Sequence, residues 1–265
     1  MSVFCRVQVQ DIQKIMAEIR IRPAFVADAP LIAQTVAMAI GEDTMVRYCG
    51  SEYLKVLEQV AAAEGTQYSY QNVLVAEVDG VAAGAIVGYN GALLEPLREG
   101  TLSIVRNFNP SVNVVDDETQ AGEFYIDSLG VLPQFRGCGV GKRLVMAMAG
   151  KGFVLGCSKI GLMVDFENSD VLEFYSGCGF HPVGEKLFFG HKMHHLQCTH
   201  LQAEDKILYT GLNYPQVQEF CGDKILAPYI CMGFSMLSLI VPDGFLTVNE
   251  GDTICRDGLG NFWVE

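Results

Sequence analysis

Apolar and polar positions change period several times along the chain, and each change marks an element. Ile19 to Arg22 alternate apolar and charged residues, which predicts a strand. The "ADAP" that follows offers Asp28 as a helix N-cap with Pro30 in the first turn; the helical period runs to about Ile40, where Gly41 ends it. A second helix is expected over Glu52 to Ala63, and "NVLVAEVDGVAAGAIVGY" reads as two strands joined at Asp79-Gly80. Residues 92–122 have no clear period. Within them "ALLEPLREGTLSIV" can be helical and "NFNPSVNVVDDETQAG" reads as a loop, of the length often used for lids and binding. Order returns with the strand "EFYIDSLGV", a helix from near Val140, the strand "KIGLMVDF", the helix "SDVLEFYSGCGF" and a strand pair, "PVGEKLFFGHKMHHL", turning at Gly190. The order β-α-α-β-β-β-α-β-α-β-β predicts a mixed α/β layer.

"QCTHLQAED" breaks this pattern, so residues 198–205 are expected to link two domains, 16–197 and 206–265. The second carries a strand "KILYTG", a short helix "PQVQEFCG" and hairpin-like runs "MLSLIV", "FLTVN", "DTICRD" and "NFWVE". A β-rich unit of about 60 residues is marginal alone unless it docks. Residues 1–15 have little pattern, and Met16 would serve as a natural beginning, so they read as an appendage.

Composition narrows the function classes. Half of the 265 residues are hydrophobic and 18% are charged, which supports a sizeable core. The net charge of −13 argues against non-specific binding to nucleic acid or anionic membranes, and acidic walls would favour a cationic substrate. Nine cysteines, odd in number and without a CxxC, fit a reducing cytoplasm better than a disulfide framework. The N-terminus lacks the basic-then-apolar order of a signal peptide. Ile225 to Pro242 carry no charge, but Pro228, Gly233 and the "PDG" turn favour buried strands over a membrane span.

The most informative stretch is "QFRGCGVGKRL", residues 134–144, between an expected strand and an expected helix. Glycines there let main-chain N–H groups face a ligand, and a helix N-terminus adds unpaired donors and a positive dipole end, a combination suited to a pyrophosphate. The spacing is not that of a dinucleotide fold, and Gly141-Lys142-Arg143 is not the end of a Walker loop. It does resemble the acetyl-CoA loop of the GNAT N-acetyltransferases, Gln/Arg-x-x-Gly-x-Gly/Ala, in two registers: Gln134, Gly137, Gly139 and Arg136, Gly139, Gly141. "IRPAFVADAPLIAQ" is similar to that family's opening strand and helix, and "ENSDVLEFYSGCGF" to its second signature; together the likeness spans residues 16–197, with 92–122 unmatched.

The resemblance implies an acyl-CoA N-acyltransferase fold and a division of labour. The main chain of Leu129 and Val131 would pair with the pantetheine arm. Amides from Arg136 to Gly141, through Gly137, Cys138, Gly139 and Val140, would hold the pyrophosphate. Arg136, Lys142 and Arg143 would add charge or stand solvated. Tyr175 matches the family's helix tyrosine, assigned as the acid toward the CoA sulfur, or else packs beside Phe174; Asn168 caps its helix or contacts the cofactor. For the base, Glu123 and Asp127 stand on one face with Tyr125, while Phe124 and Ile126 face the other way. Glu123 precedes Arg136 by thirteen residues, where some members carry a glutamate base, and a water chain to an acidic residue is also used. "DDE" at 116–118 can attract a cationic amine, although a charge run more often marks a solvated loop.

His191, His194, His195, His200 and Cys198 meet no zinc spacing, so no metal is expected. Cys138 and Cys178 have no His-carboxylate partner in sequence and read as packing residues. The C-terminal "YTGLNYPQVQEFCGD" and "VNEGDTICRDGLGNFWVE" resemble a small module of phage and bacteroidete proteins without an assured activity; Gly251-Asp252, Asp257-Gly258 and Phe262-Trp263 carry the likeness, and Tyr229 and Trp263 are candidate core residues. The reading is a cytoplasmic N-acetyltransferase that moves acetyl from acetyl-CoA to a primary amine, which would be a small metabolite, an aminoglycoside-like compound or a protein amine. No nucleic acid, membrane or metal is expected, and a homodimer stays open. The alternative is a non-catalytic acyl-CoA sensor whose tail docks a partner, and a third reading is a hydrolase using Cys178.

Overall fold

The structure, a computed structural model, describes residues 18–112, 116–188, 190–199, 205–231, 234–241, 244–256 and 262–264. The expected appendage 1–15, residues 200–204 of the expected linker, His200 and Asp257-Gly258 lie outside them. The chain divides into two compact units between Cys198 and Thr199.

In the first unit β1 (Ile19–Pro23) precedes three helices, α1 (Ala29–Ile40), α2 (Glu42–Cys49) and α3 (Tyr53–Ala62). Then come β2 (Val73–Val78), β3 (Val81–Asn90), α4 (Leu94–Val105), β4 (Phe124–Val131) and α5 (Val140–Val154). β5 (Lys159–Asp165), α6 (Ser169–Ser176), β6 (His181–Phe188) and β7 (His191–Thr199) complete it. The seven strands form one sheet in the order β1-β2-β3-β4-β5-β7-β6. β1 to β4 are antiparallel neighbours, β4 and β5 are parallel, and β6 and β7 form a hairpin. β2 and β3 read as near-continuous apolar runs because both faces of the sheet are covered. On one face Ile32, Val36 and Leu57 from α1 and α3 pack on Val75, Val87 and Tyr125. On the other, α5 lies across β3 and β4, with Met148 beside Phe124.

Three local expectations change. Asp28 stands at the N-cap of α1 without capping it: its carboxylate takes two hydrogen bonds from Arg22, at 2.7 and 3.0 Å, and one from Phe25 N at 2.7 Å. The guanidinium outbids the helix because a bidentate ion pair is stronger than a neutral cap. α2 is a helix that the apolar period does not announce. Its signals are electrostatic: Glu42 and Asp43 in the first turn and Arg47 in the last, matching the helix dipole. β7 runs on through Cys198 and Thr199, which the expected linker contained, because Leu196 and Cys198 are buried.

The second unit holds β8 (Asp205–Leu208), α7 (Tyr214–Cys221), β9 (Tyr229–Cys231), β10 (Phe234–Val241), β11 (Gly244–Asn249), β12 (Thr253–Arg256) and β13 (Phe262–Val264). Two three-stranded sheets, β11-β10-β9 and β13-β12-β8, enclose Tyr209, Val217, Leu237, Leu239, Val248 and Ile254. The uncharged stretch from Ile225 thus forms β9 and β10, and among the described residues no helix is long and apolar enough to cross a membrane. Tyr229 is 43% exposed, so it is not a core residue, whereas Trp263 is half-buried.

Candidate functional site

β4 and β5 pair at Phe124↔Ile160 and Tyr125↔Gly161, and among the described residues no pairing is found between them further along. Main-chain groups alternate across a strand. Leu132 N donates to Ala83 O at 2.8 Å on the β3 side, so the N–H and C=O groups of Leu129 and Val131 point the other way, into the gap beside β5. The Val131 carbonyl accepts from Arg136 Nε at 3.0 Å. The gap opens into a cavity of about 750 Å³, lined by Tyr125, Asp127 and Leu129 from β4, Met163 to Asp165 from β5, and Asn168, Val171 and Tyr175 around α6. α2 and α4 supply further walls, together with Glu118 from the loop before β4.

The glycine loop lies at the end of this strand. Gln134 sits exposed in the turn Pro133–Phe135. Gly137 and Gly139 then take φ values of +75° and +83°, a region in which a side chain is strained. α5 starts at Val140, and its first main-chain bond is Arg143 N to Gly139 O at 3.1 Å. The N–H groups from Gly137 to Lys142 have no acceptor among the described residues. They form a row of donors at the positive end of a fifteen-residue helix. The side chains around this row divide: Val140 is buried, Arg136 and Lys142 are exposed, and Cys138 is half-buried. Arg143 Nη1 is held by Ile19 O at 3.0 Å.

Asn168 caps α6, its Oδ1 accepting from Val171 N at 3.4 Å, and it also lines the cavity. Tyr175 packs edge-on against Phe174 and Phe180 and is 8% exposed. Its hydroxyl has no hydrogen-bond partner among the described residues; burial, with the nearby Cys178, holds it protonated by pushing its pKa far up. Burial likewise pushes the Cys178 thiol up, against a smaller opposing pull from Lys142, which is the reverse of what a thiolate nucleophile needs.

The two carboxylates read from the "EFYIDSL" strand behave differently. Glu123 is 2% exposed and does not line the cavity. It accepts from Thr119 Oγ1 at 2.7 Å and Gln197 Nε2 at 2.7 Å, and it pairs with His195 Nε2 at 2.9 Å. Burial alone would raise its pKa, but the bonds from His195, Thr119 and Gln197 together hold it below the ordinary range. A Cβ at position 161 would lie 2.2 Å from Glu123 Oε2, so Gly161 makes room for this carboxylate. The network ties β4 to β7, and Glu123 reads as a structural anchor. Replacing it with glutamine should lower stability by about 2 kcal/mol at neutral pH and leave turnover within a few-fold. That stability gap should close as pH falls through the carboxyl's depressed titration, which urea unfolding at several pH values reads out.

Asp127 does not continue a simple alternation from Glu123. The register with β3 shifts between Val87↔Ser128 and Gly88↔Ile126, which leaves Asp127 as an additional residue in a bulge. Its Oδ1 accepts from the adjacent Ser128 Oγ at 2.7 Å, and Gly130 then meets Thr35 of α1. Glu118 is 4% exposed, so the third residue of the "DDE" run is not part of a solvated loop. Tyr89 Oη lies 2.9 Å from Glu118 Oε1 and 2.8 Å from Asp127 Oδ2, and Gln67 Nε2 donates to Glu118 Oε1 at 2.6 Å. Burial, reinforced by the charge of Asp127, pushes the Glu118 carboxyl up to about 7; burial also raises Asp127.

The histidines make separate contacts. His191 pairs with Asp165 at 3.0 Å, His194 stacks on Phe166 at 3.6 Å, and His195 belongs to Glu123. Among the described residues no group of three or more His, Cys, Asp or Glu is placed to hold a metal ion.

Comparison with known proteins agrees with this geometry. The family model described as acetyltransferase (GNAT) family matches residues 43–180. A solved acetyltransferase structure is 28% identical with a TM-score of 0.59, over 68% of this chain and 98% of that one. An N-acetyltransferase from Staphylococcus aureus Mu50 shares the fold at 24% identity and a TM-score of 0.59, over 68% of this chain and 100% of its own. No curated protein matches.

Proposed function

The chain belongs to the GNAT acetyltransferase family, and from that premise we propose that it moves acetyl from acetyl-CoA directly onto the nitrogen of a primary amine, with both substrates bound together. The observation that carries this reading is the row of unpaired N–H groups from Gly137 to Lys142 beside the open edge of β4. Six unpaired donors and a helix N-terminus suit a pyrophosphate, and the main-chain groups of Leu129 with the Val131 N–H, the Val131 carbonyl being held by Arg136, suit the amide-bearing arm behind it. The bound coenzyme supplies an activated acetyl thioester. Tyr175 then hydrogen-bonds the departing sulfur and supplies its proton, while the cavity walls from α2 and α4 hold the amine.

Calorimetric titration with acetyl-CoA and with CoA tests the binding half, and thiol release with a panel of amines tests the transfer half. Binding without release for any amine would leave only a sensor. No heat with either coenzyme would remove the reading altogether. Gly139→Val should weaken acetyl-CoA binding by about tenfold, because a β-branched residue at positive φ is strained by roughly 1–2 kcal/mol and its side chain crowds the donors. An unchanged Kd in that variant would count against the loop as the pyrophosphate site.

A further inference from the structure

We propose that Glu118 and Asp127 hold one proton in common through the Tyr89 hydroxyl, and that this pair receives the ammonium group of the acceptor and removes its proton. The acceptor is then a primary amine on an apolar stem. The inference rests on the acetyl-transfer reading above and adds to it a base and a substrate class.

Tyr89 Oη is within 2.9 Å of Glu118 Oε1 and 2.8 Å of Asp127 Oδ2, yet a hydroxyl has one hydrogen. With both carboxyls ionised, one of these contacts would set lone pair against lone pair in a buried place. With one proton added, both become hydrogen bonds: one carboxyl donates to Tyr89 and Tyr89 donates to the other. Gln67 Nε2 at 3.2 Å completes the hydroxyl's environment. Glu118 Oε1 is thus committed to Gln67 and Tyr89. Oε2 stands 4.0 Å from Arg98 Nη2 and is the oxygen left for a ligand. The pair borders the cavity that Tyr175 also lines with its unpartnered hydroxyl, so base and acid share one chamber. Met38, Met45, Leu57 and Leu102 line the same chamber and suit an apolar stem. The charged and titratable groups facing the pair are Arg98 from α4, Asp117 beside Glu118, Tyr68 ahead of β2, Tyr125 from β4 and, behind Tyr68, Cys49 from α2. Of these only Arg98 brings positive charge.

The proton balance closes. Above neutrality the pair has lost the proton it shares, and the ammonium gives one to Glu118, restoring the singly protonated arrangement. The nitrogen lone pair forms the C–N bond as the C–S bond breaks. The second nitrogen proton replaces the one Tyr175 gives to the sulfur. The pair returns its proton to water, so one proton is released per turnover.

The test follows acetyl transfer to phenethylamine between about pH 5 and 9. In the parent protein kcat/KM should rise with pH and bend near the value of about 7 that Glu118 carries. E118Q and D127N should each lower kcat/KM by about 10²-fold, with acetyl-CoA affinity unchanged. A protonated-carboxyl infrared band, present in the acetyl-CoA-bound parent at about pH 6, should be lost in both variants. Turnover of either variant within threefold of the parent at saturating coenzyme, or a band that E118Q leaves intact, overturns the pair, whereas failure of the parent to bind acetyl-CoA overturns the reading beneath it. No turnover of phenethylamine by a parent that binds acetyl-CoA overturns the acceptor class, and the infrared band decides the shared proton by itself.

Discussion

Replacing Tyr175 with phenylalanine is expected to lower kcat by about 10²-fold while acetyl-CoA affinity and thermal stability stay near the parental values. The ring is what Phe174 and Phe180 pack against, and the substitution keeps it. The hydroxyl makes no hydrogen bond among the described residues, so its removal breaks none. Structure alone therefore gives no reason for this oxygen, and chemistry does. A leaving thiolate needs a hydrogen-bond donor, and burial keeps this phenol protonated across the working pH range. Because the phenolate binds its proton so tightly, the sulfur's gain and the hydroxyl's refilling from the nitrogen should be one event. Single-turnover thiol release and a melting curve test this. A variant with parental kcat would make Tyr175 a packing residue only.

How much of this site stood in the sequence depends on the distance over which each feature is determined. The glycine loop is local: positive φ at Gly137 and Gly139 calls for glycine, and the strand before it and the apolar run after it fix the context. Tyr175 was legible for the same reason, since its helix and cap lie within eight residues of it. The carboxylates were not. Strict alternation puts Asp127 in step with Glu123, and nothing in "YIDSLG" announces the bulge that takes it out of step. The "DDE" run shows three equivalent charges, yet only Glu118 turns inward, because Gln67, 51 positions earlier, and Tyr89 meet it there. Glu123 looked like a base because its partner, His195, lies 72 positions away. α2, which walls the cavity, was hidden by a mixed composition in which only the end charges spoke for a helix.

At about pH 8 the E118Q variant should be more stable than the parent by up to roughly 3 kcal/mol, and the difference should disappear below about pH 4.5. The sign follows from proton counting. The Glu118 carboxyl titrates in the ordinary glutamate range when unfolded and near 7 when folded, raised first by burial and then by Asp127. Between those limits the folded chain holds a proton that the unfolded chain has lost, so stability falls as pH rises. Below the window both states are protonated and the group contributes nothing. Glutamine keeps the shape and the acceptor that Gln67 and Tyr89 use, and it never ionises. The overall charge of −13 also changes with pH, but it does so in parent and variant alike and cancels in the difference. Glu123 should behave in the opposite way, because its hydrogen bonds hold its pKa down and its stabilisation is lost as pH falls. Two buried glutamates in one sheet region should thus show opposite pH signatures: one anchors the fold, and the other is kept in an unfavourable place where a proton acceptor is needed. Denaturant unfolding of parent, E118Q and E123Q at about pH 5 and 8 measures both. If E118Q were the less stable protein at the higher pH, the carboxyl would be an anchor too, and a base held at the expense of stability would have to be sought elsewhere in the cavity.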